Sequence, residues 1–320
     1  MKILFEKYGI ILALALEIII FSLLSENFFT ADNLLNVTNQ ATFIAIIAVG
    51  MTFVIISAGI DLSVGSVFAL VGIITAGVLT LDITPLWLRL PLALLAGLAV
   101  GLCAGLFSGL MISRFNVAPF IATLAMMTIC RGLASLSPPI FGHGLKIQST
   151  ISGLPGAFGA IGKGHILGIP APVIVMVVVY VIGGVVLHQS RLGRYTYAIG
   201  GNEEAARLSG IDVRRVKLLV YILCGGLTAL SGIILASKMG VGDPKVGVLY
   251  ELDAIAAVVI GGTTLMGGRG SMLGTFIGAM IIQVLYNGLN LVGVSSFLQK
   301  VIIGIVILAA VLIDQIKKKT

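Results

Sequence analysis

Long apolar runs, broken by short polar interruptions, set the rhythm of this chain. Windows of about 17 to 25 apolar residues suit a hydrocarbon layer of roughly 30 Å. Ten such windows are legible, at 9–25, 40–57, 64–80, 92–112, 117–136, 170–188, 216–236, 252–266, 271–291 and 297–314. They predict an all-α, polytopic membrane protein, a single transmembrane unit over 1–320 with no soluble domain attached. Several windows are short or broken by glycine, the eighth most of all. The first carries Glu17 inside its apolar run, and no small-residue cleavage site follows it, so it reads as a retained span.

The most polar interruption is 191–211, RLGRYTYAIGGNEEAARLSGI, the heart of a cytoplasmic segment at about 189–215. A short helix is written into it. Asn202 can cap the first free amides, and Glu203 and Glu204 complement the positive end. Arg207 can pair back to Glu203 four residues earlier, and Gly210 can take the left-handed turn that stops the helix. Two turns are marginal alone in water. A partner outside the membrane is therefore expected to cover this helix.

Composition sharpens the picture. With 58% hydrophobic and 10% charged residues and a mean hydropathy of +1.14, the chain is far from a soluble domain, whose charged fraction is near 25%. The net charge of +7 does not point to nucleic acid, because the basic residues gather at segment ends. Placing the N-terminus in the cytoplasm collects Lys2, Lys7, Arg114, Arg191, Arg194, Arg207, Arg214, Arg215, Lys217, Arg269 and Lys317 to Lys319 inside. Arg89, Arg131, Lys146, Lys163, Lys238, Lys245 and Lys300 are then scattered outside. The positive-inside rule thus predicts both termini in the cytoplasm. Residues 137–169, rich in proline and glycine, read as an outside loop.

Within the spans, Gly97, Gly101, Gly105 and Gly109 form a small-residue groove for a neighbouring helix. Gln283, Asn287 and Asn290 share one helix face, which either lines a hydrated path or bonds across to other helices. Asp61 and Ser63, in IDLSVGS with Ser66, look like caps of a helix that starts in or near the membrane. A discontinuous helix aimed at a cavity is a transporter device.

Enzymatic chemistry is missing from the pattern. GAFGAIGKG at 156–164 fails the phosphate-loop spacing, and GGRGSMLG at 267–274 lies between two apolar runs and reads as a tight turn. His143, His165 and His188 are isolated, and Cys103, Cys130 and Cys224 lie far apart in apolar runs, so no metal site or disulfide is expected. A secondary carrier would need a coupling carboxylate at mid-membrane, for which only Glu17 qualifies.

Several long runs resemble a known family: NFFTADNLLN at 27–36, AVGMTFVIISAGIDLSVGS at 48–66, PFIATLAMM at 119–127, RLGRYTYAIGGNEEAARLSGI at 191–211, YELDAIAAVVIGGTTLMGGRGS at 250–271 and NGLNLVGVSSF at 287–297. The chain is similar to permease subunits of bacterial ABC importers for monosaccharides, the ribose type above all. The resemblance implies a homodimer among the lipids of the cytoplasmic membrane, a periplasmic or lipid-tethered sugar-binding protein, and a separate ATPase subunit that uses the ATP. It also makes the helix at 202–209 the coupling helix. The matching positions are Gly193, Arg194, Gly200, Asn202, Glu203, Glu204, Ala205, Ala206, Arg207, Ser209 and Gly210. The stretch KMGVGDPKVGV at 238–248 departs from the ribose pattern, which leaves galactose, arabinose, xylose, allose, autoinducer or, more distantly, amino acid as alternative cargo.

Overall fold

The structure, a computed structural model, describes residues 2–81, 85–141 and 146–319; His143 lies outside them, as do the side chains of Lys2, Lys7 and Lys317 to Lys319. Among the described residues the order is α1 Lys2–Leu24, α2 Ala31–Ile56, α3 Val64–Thr80, α4 Leu86–Ser113, α5 Pro119–Leu136, α6 Gly156–Lys163, β1 His165–Ile166, β2 Ile169–Pro170, α7 Ala171–Gln189, α8 Arg191–Gly201, α9 Glu203–Leu208, α10 Val213–Met239, α11 Tyr250–Ile260, α12 Met272–Leu291 and α13 Ser296–Lys319. Six of these helices, α2, α4, α5, α7, α10 and α12, are long and apolar enough to cross a membrane.

The core forms around α2, which is buried without a break from Ala41 to Ile56 and packs against α7, α10, α11 and α12. Outer helices keep one apolar face bare: Leu95, Leu106 and Phe107 on α4, Val177, Val181 and Val185 on α7. Exposed leucine and valine along a whole face suit lipid, which offers no backbone partners and costs such side chains nothing.

The glycines of α4 all lie against neighbours. A Cβ on Gly101 or Gly105 would strike the carbonyls of Gly225 and Tyr221 on α10, one on Gly109 would press on Leu218, and one on Gly97 would meet Thr75 and Ile233. Gly225 answers from the other side, against the Gly101 carbonyl. Two backbones in contact leave no room for a methyl group. Gly101→Ala is expected to cost about 1–3 kcal/mol through overpacking, whereas Gly184→Ala on α7, where nothing lies within 4 Å, should be neutral or slightly stabilising. Thermal unfolding of the two variants in detergent checks the contrast.

The eighth span is not a helix across the membrane. α11 has 11 residues, about 16 Å at 1.5 Å per residue, half the hydrocarbon thickness. The rest of that crossing is made by the irregular stretch 240–249. A Cβ on Gly242 would touch Gly72, Ile73 and Ala76 of α3, and one on Gly247 would strike Gly65. The chain therefore descends beside α3 by about eight helical residues, or ~12 Å, before α11 begins. Such backbone is tolerated at depth only where protein covers it.

Residues 137–169 also hold more order than a loop. Among them, α6 is pinned to α10 by a relay in which the Gly162 amide donates to Ser237 Oγ at 2.8 Å and Ser237 Oγ donates to the Phe158 carbonyl at 2.5 Å. β1 and β2 form a small antiparallel hairpin.

Phe21, near the end of α1, sits against Gly288, near the end of α12, and Leu14, Ile18, Met280 and Leu285 join one apolar cluster with it. The start of α12 lies by the α9 end, since Met272 contacts Gly183 on α7, Ser271 caps α12, and Gly268 abuts Gly200 and Gly201. α13 is about 36 Å long and packs against α11 and α12.

Candidate functional site

The polar interruption folds as two helices where one was expected. Ser190 opens α8, its hydroxyl accepting from the Gly193 amide at 3.2 Å, and α8 buries Gly193, Thr196 and Ile199 at three-residue spacing. Gly193 has no room for a Cβ beside the Leu187 carbonyl, nor Gly200 beside the Ile56 carbonyl. Gly268 donates its amide to that same Ile56 carbonyl at 2.9 Å, and the Tyr197 hydroxyl donates to the Gly270 carbonyl at 2.7 Å. The end of α2, all of α8 and the 261–271 turn are thereby clamped together.

α9 projects from this clamp. The Asn202 side chain accepts from the Ala205 amide at 2.9 Å, and the Ser209 hydroxyl donates to the Ala205 carbonyl at 2.9 Å. Gly210, at φ +85°, takes the left-handed turn that the sequence suggested, and the Ile211 amide then returns to the Ala206 carbonyl at 3.1 Å. Ala206 is the buried residue of α9; Glu203, Glu204, Ala205 and Arg207 are exposed, and Leu208 is 79% exposed. Arg194 on α8 is exposed as well, its guanidinium donating to the Gln189 carbonyl at 3.2 Å.

The expected Glu203–Arg207 pair does not form. Arg207 pairs with Glu204 at 2.7 Å, and Glu203 is taken by Lys217 of α10 at 2.7 Å. Lys217 has only 19% of its side chain exposed, against 68% for Arg207. The less hydrated cation gains more from a carboxylate, and Arg207 turns to the nearer glutamate. The Glu204 hydrogen bond shifts the Arg207 guanidinium further up. Exposed pairs of this kind contribute about 0–1 kcal/mol, so they orient α9 on α10 without holding it there.

At mid-depth the capping residues behave differently from a cavity lining. Asp61 accepts from the Ser63 amide at 2.8 Å and from the Ser63 hydroxyl at 2.6 Å, and the Ser66 hydroxyl donates to the Ser63 carbonyl at 2.9 Å. All three are buried. The Tyr221 hydroxyl donates to the Ile60 carbonyl at 3.1 Å, which hooks the turn between α2 and α3 to the first half of α10. α3 thus starts inside the bundle, as a discontinuous helix, with its first turn closed by its own side chains.

The amide stripe of α12 turns to α2. Asn287 and Asn33 exchange amide hydrogen bonds, each at 3.0 Å, and Gln283 donates to Gln40 at 3.1 Å. Of the two roles open to these side chains, Gln283 and Asn287 take the bonds across to a neighbouring helix; Asn290, one turn on, is exposed at the stripe's end. Asn287→Leu leaves the Asn33 side-chain oxygen without its donor, while the Asn33 Nδ2 keeps its bond to the Phe28 carbonyl, and a loss of about 1–3 kcal/mol is expected. The Asn33→Leu, Asn287→Leu double variant should lose less than the sum of the singles in a thermal-stability cycle.

Glu17 has one carboxylate oxygen buried and without a hydrogen bond. Arg131, expected outside the membrane, lies within α5, where one guanidinium nitrogen donates to the carbonyls of Pro244 and Val246, both at 2.9 Å. Sequence reasoning missed it because its partners are more than a hundred residues away; the signal was an arginine inside an apolar window.

A multi-pass helical body with a broken-helix interior and one solvated helix standing off its end is the build of a membrane transport permease. The chain belongs to the family described as branched-chain amino acid transport system / permease component, which matches residues 33–311. It is 50% identical over 315 residues to the ribose import permease protein of Bacillus subtilis (strain 168), covering 98% of this chain and 94% of the relative. It is 46% identical over 308 residues to the ribose import permease protein of Escherichia coli (strain K12), covering 96% and 93%. The L-arabinose transport system permease protein of Escherichia coli (strain K12) is 38% identical over 314 residues, covering 98% and 92%. No solved structure matches the chain.

Proposed function

We propose that the chain is the transmembrane subunit of an ATP-driven importer of ribose, with α9 as the helix that an ATPase subunit grips. The observation that carries this reading is the mechanical one: α9 is exposed and α8 is clamped to the end of α2 and to the 261–271 turn. A push on α9 reaches the two places where the transmembrane helices are interrupted. From the end of α2 it passes to the Asp61 turn and α3, and from the 261–271 turn to α11 and α12. Closure of an ATPase pair would thereby tilt half-helices whose N-terminal ends meet at mid-depth, and so alternate access.

The charges support the orientation: the α9 end holds Arg191, Arg194, Arg207, Arg214, Arg215 and Lys217, and the positive-inside rule favours a cytoplasmic α9 end with both termini on the same side. Hydrolysis belongs to the partner, so this chain needs no cofactor. A binding protein delivers the sugar to the opposite end, and a second copy of the chain completes the path in the bilayer. Ribose is favoured over arabinose by 50% against 38% identity to the respective permeases. The 238–248 stretch that departs from the ribose pattern ends in the descending limb beside α3, where Lys245 and Val248 are exposed.

Reconstitution with the ATPase and the binding protein in proteoliposomes tests the reading. ATP-dependent uptake of labelled ribose, with arabinose and leucine transported at least tenfold more slowly, is the expected result. Uptake of leucine instead would assign the chain to an amino acid system.

A further inference from the structure

An unassigned cavity, apolar over most of its wall with a few convergent polar groups, lies beside the break in the helices. It has a volume of about 540 Å³ and is walled by Thr128, Arg131, Gly132 and Ser135 of α5, by Gln148, and by Glu251 in the first turn of α11, within the ~300–1,000 Å³ range of small-molecule sites. The Glu251 carboxylate also reaches Gly65 at the start of α3, where a Cβ would collide with it. The cavity therefore adjoins the meeting point of two half-helices.

Its depth is fixed by Arg131. The carbonyls that accept from Arg131 belong to residues 244 and 246, between Gly242, level with Ile73, and Gly247, level with Gly65. Arg131 thus reaches below the outer end of α3, while Gln148 marks the cavity's outer side. The cavity opens to the surface past Thr128 and Gly132 of α5 and past Gln148, all three exposed. A half-buried arginine and glutamate at this depth cannot be turned toward lipid without large cost, and such groups mark substrate routes.

The chemistry on its walls is mixed in a particular way. Arg131 has five donors and uses one nitrogen on the two carbonyls, Glu251 offers only acceptors, and the opposite charges cancel. Ser135 and Thr128 donate their hydroxyl protons to the carbonyls of Arg131 and Ala125, which leaves their oxygens as acceptors. A neutral ligand with several hydroxyl groups, each both donor and acceptor, can use all of these at once. A cation or an anion would meet one repulsive wall.

We propose that this cavity is a transient binding station for the neutral polyol as it crosses the membrane, with Glu251 accepting and Arg131 donating to its hydroxyl groups. The proposal rests on the reading of the chain as a sugar importer. Movement of α9 reaches Glu251 through α11, so the acceptor side of the station shifts with the ATPase cycle while the α5 side stays.

Uptake and cavity access test it separately. In proteoliposomes with ATPase and binding protein, Gly132→Phe should fill the cavity, since nothing lies within 4 Å of Gly132, and Glu251→Gln should weaken it. Ribose uptake is expected to fall at least tenfold in each, with the complex still assembled. In a Cys103→Ser background, Gly132→Cys should react with a small water-soluble thiol reagent, and saturating ribose should slow that reaction at least threefold while potassium chloride at matched osmolarity does not. If the wild type imports ribose but Gly132→Phe retains full uptake, or ribose gives Gly132→Cys no protection, the station is wrong and the importer reading stands. If the wild type imports no sugar, both fall.

Discussion

Leu208→Asp is expected to abolish ATP-dependent ribose uptake, at least a hundredfold, in a permease that inserts and melts like the wild type. Leu208 is 79% exposed on a six-residue helix whose inward contact is Ala206, so the fold loses nothing when it changes. An apolar side chain held out into water at the centre of a gripped surface is the kind of anchor that dominates an interface, where truncation costs 2 kcal/mol or more. Replacing it with a charge adds the cost of burying an unpaired carboxylate. Glu203→Lys with Arg207→Glu should act in the same direction and more mildly, because each residue also loses its partner, Lys217 or Glu204. Co-purification with the ATPase checks both. Full recruitment by Leu208→Asp would remove α9 from the coupling role.

The second large effect belongs to Asp61. Asp61→Ala removes the acceptor of both the Ser63 amide and the Ser63 hydroxyl in a place that water does not reach, and a loss on the order of 2–4 kcal/mol is expected from two charge-assisted bonds. Asp61→Asn keeps an acceptor oxygen and should recover most of it. Since α3 begins at this turn, the alanine variant should show lower expression and a lower unfolding temperature, while the asparagine variant stays within a few degrees of the wild type. Equal behaviour of the two would mean that α3 needs no cap at depth.

How much of this was legible in the sequence depended on how local each feature is. The long spans stood out because each is a local run of apolar residues; so did α9, whose cap, acidic first turn and left-handed stop all lie within nine residues. The small-residue face of α4 was equally plain, because one spacing defines it. The eighth crossing was misread since its first half, 240–249, is held against α3 by contacts over more than a hundred and sixty residues of separation, as between Gly247 and Gly65. α8 was missed because its buried stripe is Gly193, Thr196 and Ile199, too small to look like an amphipathic face, although Ser190 was a readable cap. Gln283 and Asn287 left two roles open until Gln40 and Asn33 were found opposite them. Arg131 looked like a rim charge for the same reason: the carbonyls that hold it are distant in the chain.

These failures share a cause. Polar residues inside a membrane protein must find partners, and the sequence shows which residues need them without showing where they come from. The interrupted helices, the amide pair and the buried arginine are all settled by pairing at long range.

The account stands or falls with the location and contact of α9, and a sided labelling experiment reads both. Arg207→Cys in the Cys103→Ser background would be exposed to a membrane-impermeant maleimide in whole cells and in inverted vesicles, with and without the ATPase subunit. Labelling only in inverted vesicles, reduced at least tenfold when the ATPase is bound, is the predicted result. Labelling from the outside of whole cells, or labelling in inverted vesicles that the ATPase leaves unchanged, would contradict it.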